Sequence, residues 1–129
     1  MSKKNKPRPT DAELEILKVL WRLGPSTVRE VHDHLSARKA MGYTTVLKML
    51  QIMSEKNLVE RDEKNRAHVY VPQLRQEETE RQLVGDLLER AFNGSAKSLV
   101  LHALSSKKAS AADLKEIRQI LDKLEGGRK

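Results

Sequence analysis

The apolar period changes once in the first half of this sequence, and that change does most to limit the fold. From Thr10 to Asn57 apolar residues recur at helical spacing in three segments separated by breakers. From Leu58 to Pro72 they fall instead in two short β-type runs. The first segment opens with "TDAE", a capping-box pattern with Thr10 at the N-cap and Glu13 three residues on. Leu14, Leu17, Leu20 and Trp21 make its inward stripe, and Gly24-Pro25 ends it. Ser26 or Thr27 caps a shorter helix whose apolar face is Val28, Val31 and Leu35. After the basic connection "SARKAMG", a third helix is predicted from Tyr43 to about Asn57. At 1.5 Å per residue it is about 22 Å long. Val46, Met49, Leu50 and Met53 form its apolar face. "LVERD" and "AHVYV" follow as two strands around the polar tip "EKNR", where Asn65 suits a left-handed turn position, and Pro72 closes the second strand.

Three helices followed by a two-stranded hairpin describe a winged helix-turn-helix. The expected fold is mainly α with a small antiparallel β wing. Residues 1–9 are read as a basic disordered arm, 10–73 as the winged domain and 74–129 as a helical region. In this fold the third helix is the element that enters a major groove, which is about 12 Å wide. Its outer face suits insertion there, with Tyr43, Thr44, Thr45, Leu47, Lys48 and Gln51 as the candidate contacts. Short hydroxyls near the helix start approach base edges closely, glutamine pairs with adenine, lysine reaches guanine or phosphate, and leucine meets a thymine methyl. Lys64 and Arg66 at the wing tip suit phosphate or the minor groove. Against this stands a plainer reading, in which any amphipathic helix has a solvated face and the threonines serve only as caps.

The last 56 residues carry three more amphipathic helices. Glu77–Phe92 holds Leu83 and Leu87; Asn93-Gly94 stops it, and Ser95 caps a helix with Leu101 and Leu104. Ser110 caps the last, in which Leu114, Ile117, Leu121 and Leu124 share one face. These stripes are broad for helices with so little company. Pairing with a second copy buries them, doubles the DNA contacts and matches a palindromic site. Packing back onto the winged domain in a monomer is the alternative.

Charge agrees with a polyanionic partner. The formal net charge is +7 over 129 residues, and +5 of it lies in residues 1–72, from 14 Lys/Arg against 9 Asp/Glu. With no cysteine, thiol catalysis, disulfides and thiolate metal sites are excluded. His32 and His34 lie two apart and point to different helix faces, so no metal site or cofactor is expected. No phosphate loop, H-E-x-x-H or G-x-S-x-G marks an enzyme. No apolar run nears the roughly 20 residues of a membrane span, and no signal-type stretch follows the N-terminus, so a cytoplasmic location is expected. Two other functions remain open: a winged-helix module that binds a partner protein, and a nucleic-acid binder without sequence preference.

Taken together, "TDAELEILKVLW", "STVREVHDHL", "YTTVLKMLQIMSEKNLV", "HVYVP", "GSAKSLVLHAL" and "DLKEIRQILDKL" resemble the penicillinase-repressor family of bacterial regulators. The resemblance covers almost the whole chain. It implies a homodimeric repressor that binds palindromic promoter DNA, with the start of the reading helix at Thr44, Thr45 and Lys48. In antibiotic-responsive members a membrane sensor protease triggers cleavage of an Asn-Phe bond in the dimer region. The aligned pair here is His102-Ala103, a departure that counts against that bond. Copper-responsive members use a C-terminal cysteine cluster, which this chain lacks.

Overall fold

In a computed structural model, the described residues are 8–38, 40–64, 68–106 and 109–126. The element order is α1 (Asp11–Leu23), β1 (Ser26–Thr27), α2 (Val28–Ser36), α3 (Tyr43–Glu55), β2 (Val59–Asp62), β3 (Val69–Pro72), α4 (Gln76–Ala91), α5 (Ala96–Ser105) and α6 (Ala111–Gly126). The chain divides into two compact units, one ending at Gln82 and the other beginning at Leu83, so the division falls inside α4.

Local chemistry sets most of the helix limits in the first unit. The Thr10 hydroxyl accepts from the Glu13 N–H at 3.1 Å, while the Thr10 N–H donates to Glu13 Oε1 at 2.9 Å. Thr27 and Glu30 repeat this reciprocal cap on α2, at 3.1 and 2.8 Å. Thr27, rather than Ser26, is therefore the α2 cap. Gly24 ends α1 at φ 85°, a conformation that a side chain would strain. The C-terminus of α3 is a Schellman motif around Asn57, at φ 65°. The Leu58 N–H donates to Met53 O at 2.9 Å and the Asn57 N–H to Ser54 O at 3.1 Å. Leu58 and Met53, the apolar pair that accompanies such a motif, are both fully buried.

Among the described residues the sheet has three strands where the hairpin pattern predicts two. Its order is β1-β3-β2, all antiparallel, with Ser26 opposite Tyr70 and Arg61 also opposite Tyr70. β1 is two residues long, below what side-chain alternation reveals, and it exists because β3 supplies its partner. Ser26 is buried, and its hydroxyl is satisfied by Gly24 O at 2.8 Å.

One apolar cluster holds this unit together, from Ile16 to Leu74. Leu17, Leu20, Val28, Val31, Leu35, Val46, Leu50 and Met53 are buried as the helical stripes require. The α1 stripe is corrected in detail: Leu14 and Trp21 are half-buried, while Ile16 and Val19 lie inside. α1 has neighbours on more than one side, which widens its apolar face beyond a single stripe. Tyr70, 1% exposed, is the inward residue of β3, and Val69 and Val71 flank it half-buried. The Trp21 indole N–H donates to Leu74 O at 2.8 Å and ties α1 to the chain that enters α4.

The second unit is built differently. Asn93 at φ 50° and Gly94 at φ 80° stop α4, and the Ser95 hydroxyl caps α5 by accepting the Ser98 N–H at 3.1 Å. Ser110 and Asp113 form a reciprocal cap on α6, at 3.0 and 3.1 Å. The Phe92 and His102 rings meet at a tilt of 58°, with their centres 5.5 Å apart. None of the described side chains from Leu83 onward is buried.

Candidate nucleic-acid interface

α3 is anchored from one side only. Val46, Leu50 and Met53 are fully buried, and Leu47 and Met49 pack partly against the core. Turning about 100° per residue, the same helix carries Tyr43, Thr44, Thr45, Lys48 and Gln51 outward, all exposed. Gly42 occupies the N-cap, so the N-cap residue offers no side-chain bond to the first amides of α3. That end differs from α1 and α2, whose capping boxes occupy the equivalent N–H groups.

A cleft of about 510 Å³ runs beside this outer face. Tyr43, Leu47 and Gln51, spaced four apart on α3, form one wall. Thr27, Val28 and Arg29 at the start of α2 and Arg61, His68 and Tyr70 of the wing complete the lining. The Arg29 guanidinium carbon lies 5.3 Å from the centre of the Tyr43 ring, within cation–π range. The His32 ring meets the same tyrosine edge-on at 5.9 Å. Arg61 is paired with Glu63, whose hydrogen bond raises the guanidinium pKa further above its ordinary value. Lys64 is exposed, and its N–H donates to Asp62 Oδ1 at 3.0 Å in a turn that starts the wing tip. Arg66 and Asn65 lie outside the described residues, as do Lys39 and residues 1–7 of the basic arm.

Five of the sequence-predicted contacts are therefore exposed on the outward side of α3, with Leu47 half-buried between Tyr43 and Gln51. The sequence pattern did not single out Arg29, Arg61 or His68. Arg29 sits on α2, Arg61 on β2 and His68 just before β3, and only the packing of α2 and the wing against α3 brings them to the same cleft. The one signal was Arg29 two residues past a cap, too weak to separate it from other surface arginines.

In the second unit, Leu83, Leu104 and Ile117 are half-buried, and Leu87, Leu101, Leu121 and Leu124 are exposed, the last at 61%. His102 and Ala103 are exposed within α5, where His102 Nδ1 lies 2.8 Å from Ser98 O. No helix among the described residues is long and apolar enough to cross a membrane.

The sequence profile of the penicillinase repressor family matches residues 9–123, which spans the winged domain and most of the C-terminal helices. The chain belongs to the penicillinase repressor family. The family is one of transcriptional repressors, not enzymes. Within it, the chain is 39% identical over 119 residues to the transcriptional regulator BlaI of Mycobacterium tuberculosis, covering 91% of this chain and 85% of that protein. It is 29% identical over 116 residues to the penicillinase repressor of Bacillus licheniformis, covering 90% and 91%. Among solved structures, the monomeric form of Bacillus licheniformis BlaI in complex with the blaP half-operator aligns with a TM-score of 0.51 and 29% identity. That alignment takes in 58% of this chain and 92% of the other.

Proposed function

We propose that this protein is a cytoplasmic, homodimeric transcriptional repressor that binds palindromic operator DNA. Residues 10–73 form the DNA-binding domain and residues 74–129 the dimerisation region, with the first turns of α4 held to the former through Trp21 and Leu74. The observation that carries this reading is the one-sided anchoring of α3. A helix fixed by Val46, Leu50 and Met53, with Thr44, Thr45, Lys48 and Gln51 exposed opposite them, suits insertion into a major groove. Lys64 and Arg66 of the wing then contact the backbone or the adjacent minor groove. The related repressor whose monomeric form binds a half-operator supports a site read in two halves.

Dimerisation rests on exposed leucines. Leu87, Leu101, Leu121 and Leu124 leave broad apolar stripes in water, and a second copy buries them. Leu83, Leu104 and Ile117 complete the seam. A membrane sensor protease acting at the position known in the family would meet His102-Ala103 in place of Asn-Phe. An induction route that uses another bond, or no cleavage, fits this chain better.

Titrating the purified protein against DNA from upstream of its own gene, in excess non-specific competitor, tests the function. A retained shift on one palindromic segment is expected, with a dimer in sedimentation. Equal affinity for every sequence, or no binding to DNA, overturns it.

A further inference from the structure

The cleft beside α3 is lined by two arginines, Arg29 and Arg61, and by the Tyr43 ring. Arg29 at the start of α2 lies over the Tyr43 ring at 5.3 Å, and Arg61 and His68 stand on the wing opposite. A duplex with α3 in its major groove and the wing at the neighbouring minor groove must pass one sugar-phosphate strand between the two elements. The cleft is the space between them, bounded on the α3 side by Tyr43, Leu47 and Gln51. We propose that this cleft seats one strand of the operator and that Arg29 is a phosphate-binding residue, with Tyr43 as the residue that positions it. The inference rests on the DNA-binding function proposed above.

The chemistry favours Arg29 for this role. Its guanidinium presents a planar fork of donors to phosphate. A long exposed arginine normally loses side-chain freedom when it binds. The Tyr43 ring limits that freedom beforehand, and His32 packs edge-on against the ring at 5.9 Å and limits the tyrosine in turn. Arg61 is the weaker contact in the free protein, because Glu63 already holds it. Tyr43 thus links the first residue of the reading helix to a backbone clamp on the preceding helix. That link fixes the register of α3 along the groove.

The test measures operator affinity of the full chain by fluorescence anisotropy across a salt series. Arg29→Ala is expected to reduce the slope of log K against log salt by about one, the loss of one phosphate contact. Arg29→Lys keeps the charge and is expected to keep the slope. Tyr43→Phe keeps the ring that Arg29 lies over and is expected to keep the salt slope. Tyr43→Ala is expected to cost less in an Arg29→Ala background than alone, since part of its effect runs through the arginine. An unchanged slope in Arg29→Ala, with the parent still binding its operator, overturns the phosphate contact. Strict additivity of the two alanine substitutions overturns the positioning by Tyr43. Absence of operator binding by the parent chain is a failure of the proposed function and not of this assignment.

Discussion

Lys56 Nζ lies 2.8 Å from Glu13 Oε2, so the carboxylate that caps α1 also grips the C-terminal end of α3. Glu13 is 5% exposed. Its two oxygens divide the work: Oε1 takes the Thr10 N–H at the helix start, and Oε2 takes a lysine 43 residues further along the chain. α3 is thereby tied at its far end to α1 by a polar contact as well as by core packing. Glu13→Ala is expected to destabilise the winged domain by about 1–2 kcal/mol, the loss of a cap plus a half-exposed ion pair. Urea denaturation followed by circular dichroism measures it. A change below a few tenths of a kcal/mol would show that the cap and the pair carry no net stability.

The same carboxylate makes stability depend on pH. Burial acts to raise the Glu13 pKa, but the Lys56 ammonium and the Thr10 N–H and hydroxyl outweigh it and hold the group below its ordinary 4.5. A group whose folded pKa is depressed binds more protons when unfolded. Its stabilisation is therefore complete above 4.5 and is lost as pH falls through the folded value. Melting temperatures of the parent and Glu13→Gln are expected to differ at neutral pH and to converge on acidification below 4.5. A gap that stays constant down to the acid limit would show that Glu13 contributes no linkage.

Trp21→Phe removes the indole N–H donated to Leu74 O. The carbonyl then loses a partner at a place where Leu74 is 8% exposed, and the expected cost is about 1–2 kcal/mol. Hydrogen exchange is expected to quicken in the first turns of α4, which this bond fastens to α1, and to remain unchanged in α5 and α6. Uniform quickening throughout the chain would mean that the substitution only lowers global stability.

Lys48→Ala is expected to weaken operator binding. If the ammonium meets a phosphate, the salt slope falls by about one; if it meets a guanine, discrimination at that base pair falls by about 1–3 kcal/mol. Anisotropy titrations on the operator and on single-base variants separate the two. Unchanged affinity on all of them would remove Lys48 from the interface.

Leu121→Asp places a carboxylate on the apolar stripe of α6, where Leu121 is 54% exposed in the single chain. Forced into an apolar seam, that charge is expected to dissociate the dimer, with sedimentation velocity reporting a monomer. The winged domain should still melt with the parent's cooperativity. A dimer that survives would place the seam elsewhere.

Local rules written along the chain determined the helices, their limits and the winged order of elements. Thr10 with Glu13, Thr27 with Glu30, Gly24, Asn57 and Asn93-Gly94 act within a few residues of themselves, so their chemistry is visible in a one-dimensional pattern. The polar outer face of α3 was legible for the same reason, since helical period alone sorts Val46 and Leu50 from Thr44 and Lys48. What only the tertiary structure decided involves partners far apart in sequence. β1 exists because β3 lies beside it, Glu13 finds Lys56, Trp21 finds Leu74, and Arg29, Arg61 and His68 meet Tyr43 and Gln51 across one cleft. No period or cap encodes such pairs. They arise when burial of one shared core brings separate elements together and their surface side chains come to rest opposite one another.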